Sequence, residues 1–361
     1  MASRSDLTAV RNTAMTPLRP KDKEHFSIRM SPYKFAERAY AVVEFYAKCD
    51  AVEQIQLLWD LDDYTDQENK EVEEVMGKIG NGKVVLDKRR GTTLHDKFDL
   101  KVAPPTYGML MVEDEIVFAC DALKMGFYRW TRHPERLVGY EPRLHKENAF
   151  QWEYASYTDA MSANRYSMVR LSSTFIHVDY LKLYINYLPR SMYDAIVDSK
   201  KCEGIAMSLF VSSLTGGRPP LLADYWATQS KVVLYSPNGS RSDTRKVTLH
   251  ACVDTFVTEL ELRYKHMKIR DAHLFHGIFS FGSKLKEDME EGDYTIPDMN
   301  EKEKNIRKKV SHWNSDNFKD KVGGLKKNLK AFMTKRGLVK DTDPWKKKYG
   351  FSKKLSKKKR N

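Results

Sequence analysis

The first third of the chain alternates short apolar runs with segments whose apolar residues recur at helical spacing. Apolar runs predict four strands, at 26–30, 55–59, 84–86 and 109–112. Helical spacing predicts three helices between them, over 34–49, 68–79 and 93–100. The second half adds a strand at 137–140 and helices at 120–130, 180–188, 204–213 and 248–264. Strands that alternate with helices in this way are typical of an α/β fold with a parallel sheet.

Three consecutive carboxylates, Glu113, Asp114 and Glu115, directly follow the apolar run 109–112. Burying three like charges is costly unless a cation neutralises them. Open α/β sheets bind ligands at the carboxyl ends of their strands, and carboxylate oxygens suit a hard divalent ion that bridges to phosphate. The triplet therefore indicates a site for a metal and a diphosphate, although an acidic turn at a strand end is more often a solvated loop.

Composition narrows the class of protein. The chain has 361 residues, 41% of them hydrophobic, enough for one large or two small domains. No stretch approaches the roughly 18 apolar residues of a membrane span. The polar first 29 residues lack the apolar segment of a secretory signal, so we expect a soluble cytoplasmic protein. The widely spaced Cys49, Cys120, Cys202 and Cys252 exclude a zinc ribbon and favour buried free thiols.

The net charge of +13 is concentrated at the carboxyl end, because residues 301–361 carry 22 of the 62 basic residues and 6 of the 49 acidic ones. We expect a flexible leader over 1–24 and a basic, partly disordered tail over 286–361. The tail could attract an anionic membrane surface or nucleic acid, or simply aid solubility. Its scarcity of aromatic residues and the nearly neutral body argue against specific nucleic-acid binding.

Four segments in a fixed order carry a family resemblance. They read Val-Gly-Tyr-Glu-Pro-Arg-Leu-His at 138–145, Trp-Glu-Tyr at 152–154, Tyr-Ser-Met-Val at 166–169 and Cys-Glu-Gly-Ile-Ala-Met at 202–207. Together they resemble the exostosin carboxy-terminal domain, which is glycosyltransferase family 64, the heparan-sulfate polymerase group. The resemblance covers about residues 25–285, with a nucleotide-binding half over 25–117 and an acceptor and catalytic half over 118–285.

The resemblance implies a GT-A type, Rossmann-like nucleotide-sugar-binding fold with a mostly parallel central sheet. It further implies a divalent metal, manganese or magnesium, a UDP-sugar donor and an oligosaccharide or glycoprotein glycan acceptor. The family retains anomeric configuration. Its members are usually membrane-anchored Golgi enzymes, and the absence of an anchor here strengthens the expectation of a cytoplasmic location.

The resemblance also assigns residues to the site. Those matched to the nucleotide and its phosphates are Tyr33, Lys34, Trp59, Asp60, Asp96, Lys97, Glu113 and Asp114. The metal falls to Glu115, with Glu113 beside it. The candidate acceptor contacts are Arg143, His145, Trp152 and Tyr154, although core packing is the commoner use of such aromatic residues. The family's disulfide matches Cys202 and Cys252, which a cytosolic location would leave reduced.

Two departures from the family pattern affect catalysis. Gly204 stands where the family has a second aspartate, which leaves Glu203 as the carboxylate at the reacting centre. Leu249 replaces a late arginine, for which Arg245 or His250 could substitute. Glu203 could steady an oxocarbenium-like state, act as a base, or simply begin a helix as a solvated acid.

The sequence therefore predicts a metal-dependent glycosyltransferase. The candidate donors are UDP-N-acetylhexosamine, UDP-glucuronic acid and UDP-xylose. A non-catalytic scaffold that binds a nucleotide or a glycan is the alternative.

Overall fold

The computed structural model describes residues 9, 11–12, 14–32, 36–114, 116–148, 151–223, 231–233, 243–261 and 267–268. The strands are β1 (Phe26–Ser31), β2 (Val52–Asp60), β3 (Val84–Arg89), β4 (Gly108–Glu113), β5 (Ile116–Phe118), β6 (Val138–Gly139), β7 (Pro142–Asn148), β8 (Gln151–Ala155), β9 (Arg165–Tyr166), β10 (Met168–Val169), β11 (Ser173–His177), β12 (Leu221–Leu222), β13 (Lys231–Val233) and β14 (Met267–Lys268). The α-helices are α1 (Ala36–Ala47), α2 (Asp66–Ile79), α3 (Cys120–Arg132), α4 (Tyr157–Ala163), α5 (Val178–Tyr187), α6 (Arg190–Ser199), α7 (Glu203–Leu214) and α8 (Asp243–Glu259). Short 3-10 helices cover Pro20–Lys23, Leu61–Asp63 and Leu94–Lys97.

A seven-stranded sheet in the order β12-β6-β11-β4-β1-β2-β3 forms the centre of the fold. Six of its strands are parallel to one another, and β11 runs antiparallel between β4 and β6. The predicted α/β class and mostly parallel sheet are confirmed, and the arrangement is consistent with a Rossmann-like, GT-A type fold. The helix predicted over 93–100 is wrong in extent, because only the 3-10 helix Leu94–Lys97 forms there.

The two central strands are buried almost throughout, which explains their continuous apolar sequences. In the register of β1 and β4, Ile28 lies beside Leu110, and Ser31 lies beside Glu113. Both strands therefore end at the same edge of the sheet, the carboxyl edge. Helices begin where local hydrogen bonds favour them. In α2, for example, Thr65 and Glu68 form a reciprocal capping box.

Part of the predicted leader packs against the opposite edge of the sheet. The backbone N–H of Thr16 donates to Asp179, and His177 at the end of β11 hydrogen-bonds the carbonyl of Thr16. Asp22 is fully buried, where it accepts from the backbone N–H of Tyr107 and pairs with Arg19. These contacts join residues 16–22 to the body of the domain, although no hydrophobic periodicity marks them in the sequence. The predicted domain boundaries at 24 and 285 stay a prediction, and the basic tail lies outside the described residues.

The expectation of free thiols is wrong, because all four cysteines are paired. Cys49 bonds to Cys120, and Cys202 bonds to Cys252. The second pair is the one implied by the family resemblance. The first pair joins two helix ends that are 71 residues apart in the chain, a proximity that the strand order creates and the spacing of the cysteines does not reveal. No helix among the described residues is long and apolar enough to cross a membrane.

The disulfides predict a measurable contribution to stability. Replacing Cys49 and Cys120 together by alanine should lower the free energy of unfolding by about 2–5 kcal/mol, because the unfolded chain loses a cross-link. Urea denaturation of the two proteins measures this difference. Alkylation of the unreduced protein after denaturation should find no reactive thiol, and the recovery of four alkylated cysteines would contradict both pairings.

Candidate active site

Charged side chains from five separate segments meet at the carboxyl edge of the sheet. Glu113 ends β4, and Glu141 lies two residues beyond the parallel strand β6. Arg170 lies just before β11, which starts at this edge because it runs antiparallel. Lys97 ends the 3-10 helix Leu94–Lys97, and Glu203 begins α7. This is the edge at which open α/β sheets bind their ligands.

One of these charge contacts joins Lys97 to Glu203. The Nζ atom of Lys97 lies 2.6 Å from Oε1 of Glu203, and the two side chains are 13% and 16% exposed. Burial alone would lower the pKa of Lys97, but the negative charges of Glu203 and Glu113 outweigh burial and raise that pKa. Lys97 is therefore a firmly held cation between the strand-end acid and the acid of α7.

A buried arginine fixes the segment that carries Lys97. The guanidinium of Arg29, in the middle of β1, is 2.8 Å from Asp87 of β3 and fully buried. It also donates to the backbone carbonyls of Asp96 and Lys97. Arg89 adds a second clamp, because it pairs with Asp87 and with the Asp96 carboxylate. Backbone and side-chain contacts thus hold the 3-10 helix against the sheet.

A second charge cluster surrounds Glu141, which is almost fully buried. Arg143 donates to its carboxylate at 3.0 Å, and Lys231 forms an ion pair with the other carboxylate oxygen. Arg170 lies 3.7 Å from Glu141 and 3.2 Å from Glu113, so it links this cluster to the end of β4. Burial raises the pKa of Glu141, but the three cations more than offset it and lower that pKa to about 2.

The start of α7 is held by unusual backbone geometry. Cys202 has a φ of 75°, in the left-handed region that residues other than glycine rarely adopt. Its disulfide to Cys252 of α8 ties down this position. The turn places Glu203 at the first residue of the helix, where the helix dipole favours a negative charge.

The structure also gives a physical context for Gly204. A Cβ atom at Gly204 would lie 3.2 Å from Cβ of Leu171. The leucine thus occupies space beside the helix start, and any side chain at position 204 would have to push it away. Glu203 is left as the carboxylate at this end of α7.

Several predicted nucleotide contacts have internal partners. The ring of Trp59 is 2% exposed, and its N–H donates to Asn69, so the indole packs in the core. Asp60 accepts from the backbone and hydroxyl of Thr92. Asp96 accepts from the backbone N–H and the hydroxyl of Thr93, the N-cap of the 3-10 helix that contains both Asp96 and Lys97. The nucleotide roles predicted for these three residues remain predictions.

The predicted acceptor residues divide into two groups. His145 and Trp152 are buried on β7 and β8 with their rings in edge-on contact, which favours the packing alternative. Arg143 lies over the ring of Tyr157 and beside Glu141, so it belongs to the charge cluster. The backbone N–H of Tyr154 donates to Nδ1 of His250, which joins β8 to α8. His250 thus has a structural contact, and its catalytic role remains a prediction.

Some predicted residues lie outside the described part of the chain. These are Tyr33, Lys34, Glu115 and the side chain of Arg245. Asp114, in the turn between β4 and β5, is fully buried. The described residues contain no group of three or more His, Cys, Asp or Glu side chains arranged to hold a metal. At the strand end, Glu113 has a partly exposed carboxylate, the type of oxygen ligand that suits a hard divalent ion.

Sequence reasoning missed Arg170, Glu141 and Lys231. Arg170 and Lys231 belong to segments far from Glu113 and Glu141 in the sequence, so no local spacing marks them. It also missed His95 and Tyr184, which lie near Glu203. Among the missed residues, Glu141 alone lies in the matched segment 138–145. Its position in that motif was the one available sequence signal.

Comparison with known proteins decides the family. The family model described as "Glycosyl transferase family 64 domain" matches residues 26–275, well over half of the chain. The chain belongs to glycosyltransferase family 64. Its relatives include glycosylinositol phosphorylceramide mannosyl transferase 1 of Arabidopsis thaliana, which is 27% identical over 270 residues, 69% of this chain and 77% of that protein.

Exostosins are further relatives of this family 64 protein. Exostosin-2 of Mus musculus is 27% identical over 215 residues, which are 58% of this chain and 28% of that protein. Exostosin-1a of Danio rerio is 34% identical over 118 residues, 32% of this chain and 16% of that protein. The match thus spans less than a third of either exostosin. The family domain and these named transferases identify the chain as a glycosyltransferase.

The buried arginine network of this family 64 enzyme predicts a large effect of Asp87→Asn. The substitution should lower the free energy of unfolding by about 3–5 kcal/mol, because it leaves the guanidinium of Arg29 buried without its counter-charge. Urea denaturation measures the loss. Asp62→Asn is the matched control, since Asp62 pairs with Arg90 at the surface and should cost less than about 1 kcal/mol. Equal effects of the two substitutions would show that the buried network does not hold the segment.

The low pKa of Glu141 predicts a pH-dependent contribution to stability. Its pKa is about 2 in the folded protein and returns toward 4.5 on unfolding. The stabilisation is therefore complete above about pH 4.5 and is lost as the pH falls through about 2. At pH 7 the free energy of unfolding of wild type should be about 3 kcal/mol larger than that of Glu141→Gln. Denaturation at a series of pH values should show this difference shrinking below pH 4.5, and a constant difference would contradict the ion-pair explanation.

Proposed function

We propose that this enzyme transfers a sugar from a nucleoside diphosphate sugar, in the first instance a UDP-sugar, to a glycan acceptor. The observation that carries the proposal is the meeting of Lys97, Glu113 and Glu203 at the carboxyl edge of a mostly parallel sheet. A diphosphate leaving group needs cations, and a reacting anomeric carbon needs a nearby carboxylate. The charged groups of this edge supply both.

We propose that Mn²⁺ or Mg²⁺ binds together with the donor, held by Glu113 and Glu115. When bound, a divalent ion stabilises negative charge on the diphosphate. Glu113 fits such an ion because its carboxylate ends a strand and is partly exposed. Magnesium in particular is commonly held by one or two carboxylates together with substrate phosphates.

The residues of the chain have separate roles in this proposal. Lys97 offsets negative charge on the diphosphate, in a setting from which water is largely excluded. Arg170 holds Glu113 in place from the side of Glu141. Glu203 faces the transferred sugar as the carboxylate of α7, steadying positive charge if configuration is retained or taking the acceptor's proton if it is inverted.

We propose two candidate combinations of donor and acceptor. The exostosin resemblance supports UDP-N-acetylhexosamine or UDP-glucuronic acid with an oligosaccharide or glycoprotein acceptor, and the missing carboxylate at position 204 supports trying UDP-xylose. The mannosyl transferase of Arabidopsis favours a second candidate, a nucleoside diphosphate mannose with an inositol phosphorylceramide glycolipid. That second candidate gains weight because the match covers 77% of that relative, against 28% of exostosin-2.

The disulfides change the expected location. Disulfides persist in oxidising compartments and are rare in the cytosol. With Cys49–Cys120 and Cys202–Cys252 both formed, we propose that the enzyme works in an oxidising compartment, in place of the cytoplasm expected from the sequence. Contact of the basic tail with an anionic membrane surface remains a prediction for residues outside the described part of the chain.

The proposal predicts that a nucleoside diphosphate stabilises the protein. At about a hundred times its Kd, UDP with Mn²⁺ should raise the Tm of wild type by about 5 °C. Thermal unfolding with UDP or GDP, with and without Mn²⁺, measures this shift. Lys97→Met, Glu113→Ala and Glu115→Ala should each lose most of it. Glu53→Gln should keep it, because Glu53 pairs with Lys21 at the far end of β2.

A hydrolysis screen of nucleotide sugars then separates the enzyme from a non-catalytic scaffold. Release of UDP or GDP from one sugar nucleotide by wild type, and its loss in Glu203→Gln, would support the assigned roles. A wild-type protein that no nucleoside diphosphate stabilises would overturn the donor site.

A further inference from the structure

The ion pair between Lys97 and Glu203 joins two groups that the proposed reaction needs separately. The Nζ to Oε1 distance is 2.6 Å, and the residues are 106 positions apart in the chain. Lys97 is needed at the diphosphate, and Glu203 is needed at the transferred sugar. In the structure each side chain neutralises the charge of the other.

Both backbones that carry the pair are fixed. The segment of Lys97 is held by the buried Arg29, and the position of Glu203 is held by the Cys202–Cys252 disulfide. The pair can therefore open by rotation of the two side chains without displacement of either segment. Lys97 carries a flexible four-carbon stem, which suits such a movement.

Both Lys97 and Glu203 have other groups nearby with which they can interact when the ion pair opens. The charge of Glu113 raises the pKa of Lys97, so the ammonium group lies near the end of β4, where the diphosphate is proposed to bind. The charge of Glu203 also acts on His95 and Tyr184, which are 7% and 1% exposed. Both ring nitrogens of His95 and the hydroxyl of Tyr184 lack hydrogen-bond partners within the described part of the chain.

Glu203 lies close to both of these groups. Burial raises the pKa of Tyr184, and the charge of Glu203 raises it further, while the same charge opposes the lowering of the His95 pKa by burial. Buried polar groups without partners are rare and call for an explanation. The lack of other partners at these two groups is explained if the Glu203 carboxylate accepts hydrogen bonds from them when it leaves Lys97.

We propose that Glu203 is a latch on the donor site. When the donor binds, Lys97 leaves Glu203 and pairs with the diphosphate of the nucleotide. Glu203 becomes available to the sugar only after the donor is in place. This inference rests on the proposed function. It adds an order of events, with the donor binding before the acceptor. It also means that Glu203 opposes nucleotide binding, although the reaction needs it.

Equilibrium binding of UDP, with Mn²⁺ present, tests the latch. Glu203→Gln should bind UDP about tenfold more tightly than wild type, a change of about 1.4 kcal/mol, because Lys97 is no longer held. Glu203→Asp keeps the negative charge but shortens the side chain, so it should tighten UDP binding by about threefold. Glu53→Gln is the matched control and should leave the Kd unchanged. Isothermal titration calorimetry gives these constants directly.

A double-mutant cycle distinguishes a latch from simple charge repulsion. In the Lys97→Met background, Glu203→Gln should no longer improve UDP binding, because there is no lysine to release. An equal improvement in both backgrounds would mean that Glu203 only repels the anionic ligand, and the latch would be overturned. An unchanged or weaker affinity of Glu203→Gln would overturn it as well, since Glu203 would then orient Lys97 for the phosphates.

Failure of the proposed function gives a different result. If neither UDP nor GDP binds wild type or any Glu203 variant, the donor site and the latch fall together. If wild type binds and the Glu203 variants do not bind more tightly, the latch alone fails. Thermal unfolding of each variant without nucleotide confirms that the proteins compared are folded.

Discussion

A guanidinium buried in the middle of the sheet is the constraint on which the candidate site depends. Arg29 lies in β1 among fully buried apolar neighbours, where an uncompensated charge would be very unfavourable. Asp87 of β3 supplies the counter-charge, and the carbonyls of Asp96 and Lys97 satisfy further donors. The need to satisfy one buried cation thus draws the 3-10 helix onto the sheet. Lys97 reaches the carboxyl edge because of that contact.

The same edge is built from opposite charges that come from distant parts of the chain. Glu113 meets Arg170, Lys97 meets Glu203, and Glu141 meets Lys231, over 57, 106 and 90 positions of sequence. Each pair joins two segments that are far apart in the chain. Removing one member of such a partly buried ion pair leaves the other charge without its partner, which is unfavourable. Each side chain therefore holds the other in place. A site organised in this way is held together by its own charges, so an anionic ligand of the proposed kind would bind by exchange of partners.

The disulfide at Cys202 connects stability with the site. It joins the beginning of α7 to α8 and holds Cys202 in a left-handed backbone conformation next to Glu203. Loss of this bond would free the position from which the carboxylate is presented. An oxidising environment would thus support the geometry of the site as well as the stability of the fold.

The sequence by itself determined the class of fold and the family. Continuous apolar runs at β1, β2 and β4 are what a parallel sheet buried on both faces requires, and the helical spacing between them left few alternatives. The ordered motifs from Val138 to Met207 identified the family. The three consecutive carboxylates at 113–115 marked the end of the central strand. These signals are local, so a single sequence contains them in full.

The tertiary structure alone decided which charges meet. The pairing of Lys97 with Glu203, the linking of Glu113 and Glu141 by Arg170, and the Cys49–Cys120 disulfide all depend on strand order and on the antiparallel β11. It also showed that the indole of Trp59 packs in the core. Contacts between residues far apart in the chain leave no periodicity or motif behind, because either partner alone looks like an ordinary surface charge or an ordinary core residue.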